Sequence, residues 1–104
     1  MTTAPILLCP GQGAQAVGMG RAWHAASPAA AEVYAEADQI LGASQGAHLS
    51  RLCFDGPVEV LNTTRASQPA LYTAAVASHR ALIEASADTA ENLRAPAATA
   101  GLSL

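Results

Sequence analysis

Apolar positions fall into two short continuous runs near the ends of the chain, with helically spaced stretches between them. The first run, residues 5–9 (Pro-Ile-Leu-Leu-Cys), is bounded by prolines and predicts a short strand buried on both faces, as in a parallel sheet. Pro10-Gly11-Gln12-Gly13 breaks it sharply. Residues 14–26 read as a loop passing into a short helix, with Gly18 and Gly20 keeping its start loose. Ser27-Pro28 is a helix start, serine as N-cap and proline at the first helical position. That helix is expected to run to Leu41, with Val33, Ala37, Ile40 and Leu41 on one face, and to stop at Gly42.

Residues 46–54 predict a further helical turn, and Asp55-Gly56-Pro57 a turn into a proline-started helical piece ending at Leu61. Asn62-Thr63-Thr64 breaks that piece. Ser67-Gln68-Pro69 opens the longest helix, expected to reach Ala87. Leu71, Ala75 and Leu82 make it apolar nearly all round, while Thr73, Arg80 and Glu84 share a stripe, a pattern of central burial. Residues 87–95 are polar and loop-like, and Pro96 leads into a second short strand. Strand, several helices, strand is the order of a parallel α/β sheet with long helical crossovers.

Composition narrows this picture. Hydrophobic residues are 51% of the chain, but much of that share is alanine and aromatics are 4%, so the core is expected to be thin. The formal net charge is -3, and the five basic residues, all arginine, are scattered; nucleic-acid binding has little support. The N-terminus lacks the basic segment of a secretory signal, and no apolar stretch is long enough to span a bilayer. Cys9 and Cys53 lack metal or redox spacing and read as reduced, buried thiols of a cytoplasmic protein. His24, His48 and His79 read as solvated or helix-surface residues, and Arg80 with Glu84 as a surface pair. Arg21 and Arg65 read by default as solvated, with contact to acidic groups of a ligand or partner as the alternative.

Two stretches carry candidate chemistry. Residues 97–104 run from a strand into Gly101-Leu102-Ser103-Leu104, four of the five positions of the Gly-x-Ser-x-Gly elbow that lifts a serine hydroxyl out of a tight turn. Gly11-Gln12-Gly13-Ala14-Gln15-Ala16 also fits a dinucleotide-binding fingerprint. That fingerprint expects a second strand soon after, ending in an acid, and the acids in range, Glu32, Glu36 and Asp38, lie on a helical pattern instead. The alternative use of a glycine loop is electrostatic: backbone N–H groups converge on the oxygen of a tetrahedral intermediate, where a donor is worth ~3 kcal/mol. A loop after the first strand, facing an elbow after the second, meets the geometry that acyl transfer needs.

Taken together these stretches resemble one family, the malonyl-CoA:acyl carrier protein transacylases of fatty acid synthesis and the related acyltransferase domains of polyketide synthases. The resemblance covers almost the whole chain: residues 10–15 with Val17-Gly18-Met19-Gly20, then Phe54-Asp55-Gly56-Pro57 with Glu59, Leu61-Asn62 and Thr64, then Ser67-Gln68-Pro69-Ala70-Leu71, and finally residues 100–104. It implies an α/β fold, the N-terminal part of the α/β-hydrolase-like large subdomain of an acyltransferase. Residues 1–104 would then be a partial domain, with the remainder and a ferredoxin-like subdomain missing.

The resemblance also implies roles. Ser103 is the expected nucleophile on malonyl-CoA, and the backbone N–H groups of Gln12 and Leu104 are the expected oxyanion donors. Gly11, Gly13 and Gln68 are expected at the substrate. No metal or permanently bound cofactor is implied; a coenzyme A thioester is the substrate and acyl carrier protein the partner, with neither nucleic acid nor membrane involved. Leu102 departs from the family, which usually has histidine beside the serine. The family's base histidine and its carboxylate-binding arginine lie beyond position 104, so the chain alone is expected to show no turnover. A polyketide-type acyltransferase domain and a non-catalytic remnant are the alternatives.

Overall fold

The computed structural model describes residues 6–43, 46–85 and 98–101. Its elements are β1 (Ile6–Cys9), α1 (Arg21–Ala26), α2 (Pro28–Leu41), α3 (Leu49–Asp55), α4 (Val58–Leu61), α5 (Thr64–Ala85) and β2 (Ala98–Gly101). The polar stretch assigned to residues 87–95 lies outside the described residues. β1 and β2 pair in parallel, Ile6 beside Ala98 and Cys9 beside Gly101, with the five helices of the described residues in the crossover between them.

α2 packs against α5, and α1 and α3 pack against both. Ser27 caps α2 as expected: its Oγ accepts from the Ala30 N–H at 3.2 Å, with Pro28 at the first position. The same hydroxyl donates to Glu84 of α5 at 2.7 Å, so one buried serine starts a helix and ties it to its neighbour. Glu84 is thereby engaged by α2 rather than reserved for Arg80. The core is built from Ala30 and Tyr34 of α2, Leu49 and Cys53 of α3, Leu61 of α4, and Ala70, Ala77 and Ala81 of α5. Alanine on the α5 side lets the helix backbones approach closely, leaving the Tyr34 ring as the largest fully buried side chain.

Several sequence expectations change. α5 starts at Thr64, a turn before Ser67, so Ser67 is a fully buried residue inside the helix and does not open it. Pro69 has no N–H for the carbonyl of Arg65, four residues earlier, and the helix tolerates this where Arg65 is exposed to water. Thr73 is buried with Ala70 and Ala77 and does not share a solvent stripe, while Leu82 is 40% exposed. α2 turns Tyr34 inward and leaves Ile40 75% exposed, because the larger ring takes the centre of the buried face. Leu8 is 73% exposed, so β1 is not buried on both faces among the described residues. Cys53 is buried and Cys9 only partly so; both are free thiols.

Candidate active site

The glycine loop leaves β1 at the end where Cys9 pairs with Gly101. Ser103 and Leu104 follow Gly101 in sequence but lie outside the described residues, so the predicted nucleophile and second oxyanion donor are not located. The other predicted residues are. Gly11 and Gln12, with Cys9 and Pro10, form one wall of a cleft of about 340 Å³; Gln68, Leu71, Tyr72 and Ala75 of α5 form the other. Gln12 and Gln68, widely separated in sequence, therefore face a common space. A second cleft of about 200 Å³ shares Pro10, Leu71 and Ala75 and extends past Met19 and Trp23.

The loop is a built structure. Ala14 N–H donates to the Gly11 carbonyl at 3.1 Å, closing a turn. Gly13 sits at φ 109°, a conformation that a side chain would strain. Its N–H donates to Gln15 Oε1 at 2.8 Å, so that donor is spent within the loop and not offered to the cleft. Gln15 Nε2 donates in turn to Asn62 Oδ1 at 3.1 Å, and Gln12 Nε2 donates to Thr64 Oγ1 at 3.0 Å. Asn62 and Thr64 thus hold the loop from the α4–α5 junction. In the sequence both residues stand only as parts of a motif; the available signal is Gln12 between Gly11 and Gly13, with Gln15 two residues on, both needing polar partners.

The next segment is also tied down from a distance. Gly18 N–H donates to the Cys53 carbonyl at 2.7 Å, and Arg21 donates to the Phe54 carbonyl and to Asp55 Oδ1, the latter at 2.9 Å. Arg21 is therefore paired rather than simply solvated. Gly20, at φ 79°, lies against Tyr34, and Gly56, at φ 86°, against Val17. His24 packs at 5.8 Å from the Tyr34 ring and 5.0 Å from Phe54, an aromatic cluster in place of the expected solvated role. His48 is exposed, and His79 half-buried on α5.

Burial pushes the Cys53 thiol up to about 11, with the Asp38 carboxylate adding to the effect. Burial, then Cys53, pushes the Tyr34 phenol well above its usual range. Neither group is a nucleophile at neutral pH. Asp38 accepts from Ser50 N–H at 2.9 Å and from Ser50 Oγ at 2.5 Å, binding α2 to the start of α3. It sits on α2, not at the end of a second strand, which removes the acid that a dinucleotide site needs. Among the described residues no group of His, Cys, Asp and Glu is arranged to hold a metal.

Comparison with known proteins agrees with this arrangement. Residues 6–104 match the acyl transferase domain family. The chain is 42% identical over 95 residues to the malonyl CoA-acyl carrier protein transacylase of Escherichia coli K12, covering 91% of this chain and 28% of that protein. It is 39% identical over 92 residues to the human mitochondrial malonyl-CoA-acyl carrier protein transacylase, covering 88% and 22% respectively. Among solved structures, an acyl-carrier-protein S-malonyltransferase from Burkholderia pseudomallei 1710b superposes with a TM-score of 0.77 at 34% identity, over 95% of this chain and 29% of that one. A malonyl-transacylase solved with its type II PKS acyl-carrier protein superposes with a TM-score of 0.76 at 35% identity, over 96% and 29%. The chain thus spans less than a third of these relatives. With a family match over residues 6–104 and these structural neighbours, the chain has an acyltransferase fold and belongs to the acyl transferase domain family.

Proposed function

We propose that this chain supplies the nucleophile and oxyanion half of a malonyl-CoA:acyl carrier protein transacylase. It would be the N-terminal part of the α/β-hydrolase-like large subdomain. Ser103 Oγ attacks the thioester carbonyl of malonyl-CoA; the C–O bond forms, the C–S bond breaks, and the serine proton leaves through a base to the coenzyme A thiolate. The phosphopantetheine thiol of acyl carrier protein then attacks the seryl ester and regenerates the serine. Gln12 and Leu104 N–H groups bind the oxyanion in both steps. Gly11 leaves the cleft wall open to the backbone, Gly13 shapes the loop by its conformation, and Gln68 faces the substrate from α5.

The observation that carries this reading is the parallel pairing of Cys9 with Gly101, which puts the start of the Gln12 loop and the residue two before Ser103 at the same end of the sheet. His24 is committed to the Tyr34 and Phe54 rings and Arg21 to Asp55, so neither is offered as the base or the malonyl-binding cation. The cytoplasm is the expected compartment and fatty acid synthesis the expected use. No helix among the described residues is long and apolar enough to cross a membrane.

The test replaces the matching segment of the Escherichia coli relative with residues 1–104. The chimera is expected to transfer labelled malonyl groups to phosphopantetheinylated acyl carrier protein, and Ser103→Ala to abolish both transfer and the seryl ester. A folded chimera that transfers nothing, or one that transfers equally well with Ser103→Ala, contradicts the proposal.

A further inference from the structure

We infer that Asn62 and Thr64, at the α4–α5 junction, are positioning residues, and that α5 sets both walls of the cleft through Thr64. This rests on the proposed acyl transfer at the same site. An oxyanion donor works only if it is aimed before the charge appears. Gly11 and Gly13 give this loop more backbone freedom to lose than other residues at those positions would. Inside the loop, the Ala14 to Gly11 turn fixes only part of it. The remaining ties run to one place. Gly13 N–H is held by Gln15, Gln15 by Asn62, and Gln12 by Thr64. Between the two anchors, Thr63 turns its hydroxyl back to the Val60 carbonyl at 2.7 Å and takes no part.

The anchors stand on immobile ground. Leu61, Ala66 and Ser67, beside them in sequence, are fully buried. Thr64, Gln68, Leu71, Tyr72 and Ala75 follow one another at helical spacing along α5, so they share a face. The first holds the glycine loop, and the other four line the opposite wall of the cleft. One rigid helix therefore fixes the distance between Gln12 and Gln68. Moving Thr64 moves the oxyanion donor relative to the wall that the acyl group meets.

The test uses the ¹⁵N-labelled 104-residue chain. Thr64→Val and Asn62→Leu remove the acceptors at similar volume; Thr64→Ser and Asn62→Asp keep them. Solvent exchange of the Gln12 side-chain amide in Thr64→Val, and of the Gly13 backbone amide in Asn62→Leu, should quicken about fivefold, the loss of one ordinary hydrogen bond, and return in Thr64→Ser and Asn62→Asp. The amides of Ala77 and Ala81 in the core should not change. Unchanged loop exchange, or equal change in loop and core, overturns the inference. Either anchor variant decides this if the other fails to fold. Malonyl transfer by the Escherichia coli chimera gives the functional arm, about fivefold slower in Thr64→Val and restored in Thr64→Ser. Equal transfer by the parent chimera and Thr64→Val overturns the substrate role of the anchors. Absence of transfer by the folded parent chimera counts against the proposed function, and the exchange arm still decides the positioning.

Discussion

Gly20 shows how one atom can decide a packing arrangement. A Cβ there would lie 2.0 Å from Tyr34 Oη, and its φ of 79° strains any side chain. Gly20→Ala is expected to cost about 2–4 kcal/mol, read as a lower urea midpoint. The sequence marks Gly20 only as a loosening glycine; its tight contact is with a residue fourteen positions on, which no local pattern reveals. Cys53 makes a pH prediction. An unfolded thiol ionises near pH 8.5, while the folded one holds its proton to about 11. Between those values the unfolded state binds fewer protons, so stability falls as pH rises, and Tyr34 adds to the fall in the same direction. Thermal midpoints measured across that range should drop less in Cys53→Ala than in the parent chain. Equal slopes would mean that Cys53 does not titrate between the two states.

At the scale of elements, the punctuation residues were readable and the faces were not. Ser27-Pro28 and Gly42 bound α2 at the expected positions because capping is local chemistry. Ser27→Ala should cost about 1–2 kcal/mol by urea denaturation, near the top of the range for a lost cap, because the Glu84 bond goes with it. Glu84→Gln keeps an acceptor at that place and should cost less; an equal cost would show that the carboxylate charge carries the tie. Ile40, Leu82 and Thr73 lie on faces other than the ones their spacing predicts, for one reason. A helix rich in alanine has a weak apolar stripe, and the buried side is chosen by what packs on it, here the Tyr34 ring and the α2–α5 seam. The glycine loop was legible as chemistry from its spacing. Its anchors at Asn62 and Thr64 were not, because a hydrogen bond between residues some fifty positions apart leaves no mark on periodicity.

For the whole molecule, the account depends on two four-residue strands near opposite ends of the sequence pairing in parallel. Their order and the helical crossover were legible from apolar runs and turn signals. The register was not, since a short strand specifies its partner only through the layers that cover it. The proposed acyl transfer requires Ser103 beside Gln12, at the cleft that Gln68 faces. A nitroxide attached to Ser103→Cys, with Cys9→Ser and Cys53→Ala to leave one thiol, measures this by paramagnetic broadening of backbone amides. The account predicts strong broadening at Gln12 and Gln68. Sharp, unaffected signals from both residues in the folded, labelled chain would contradict it.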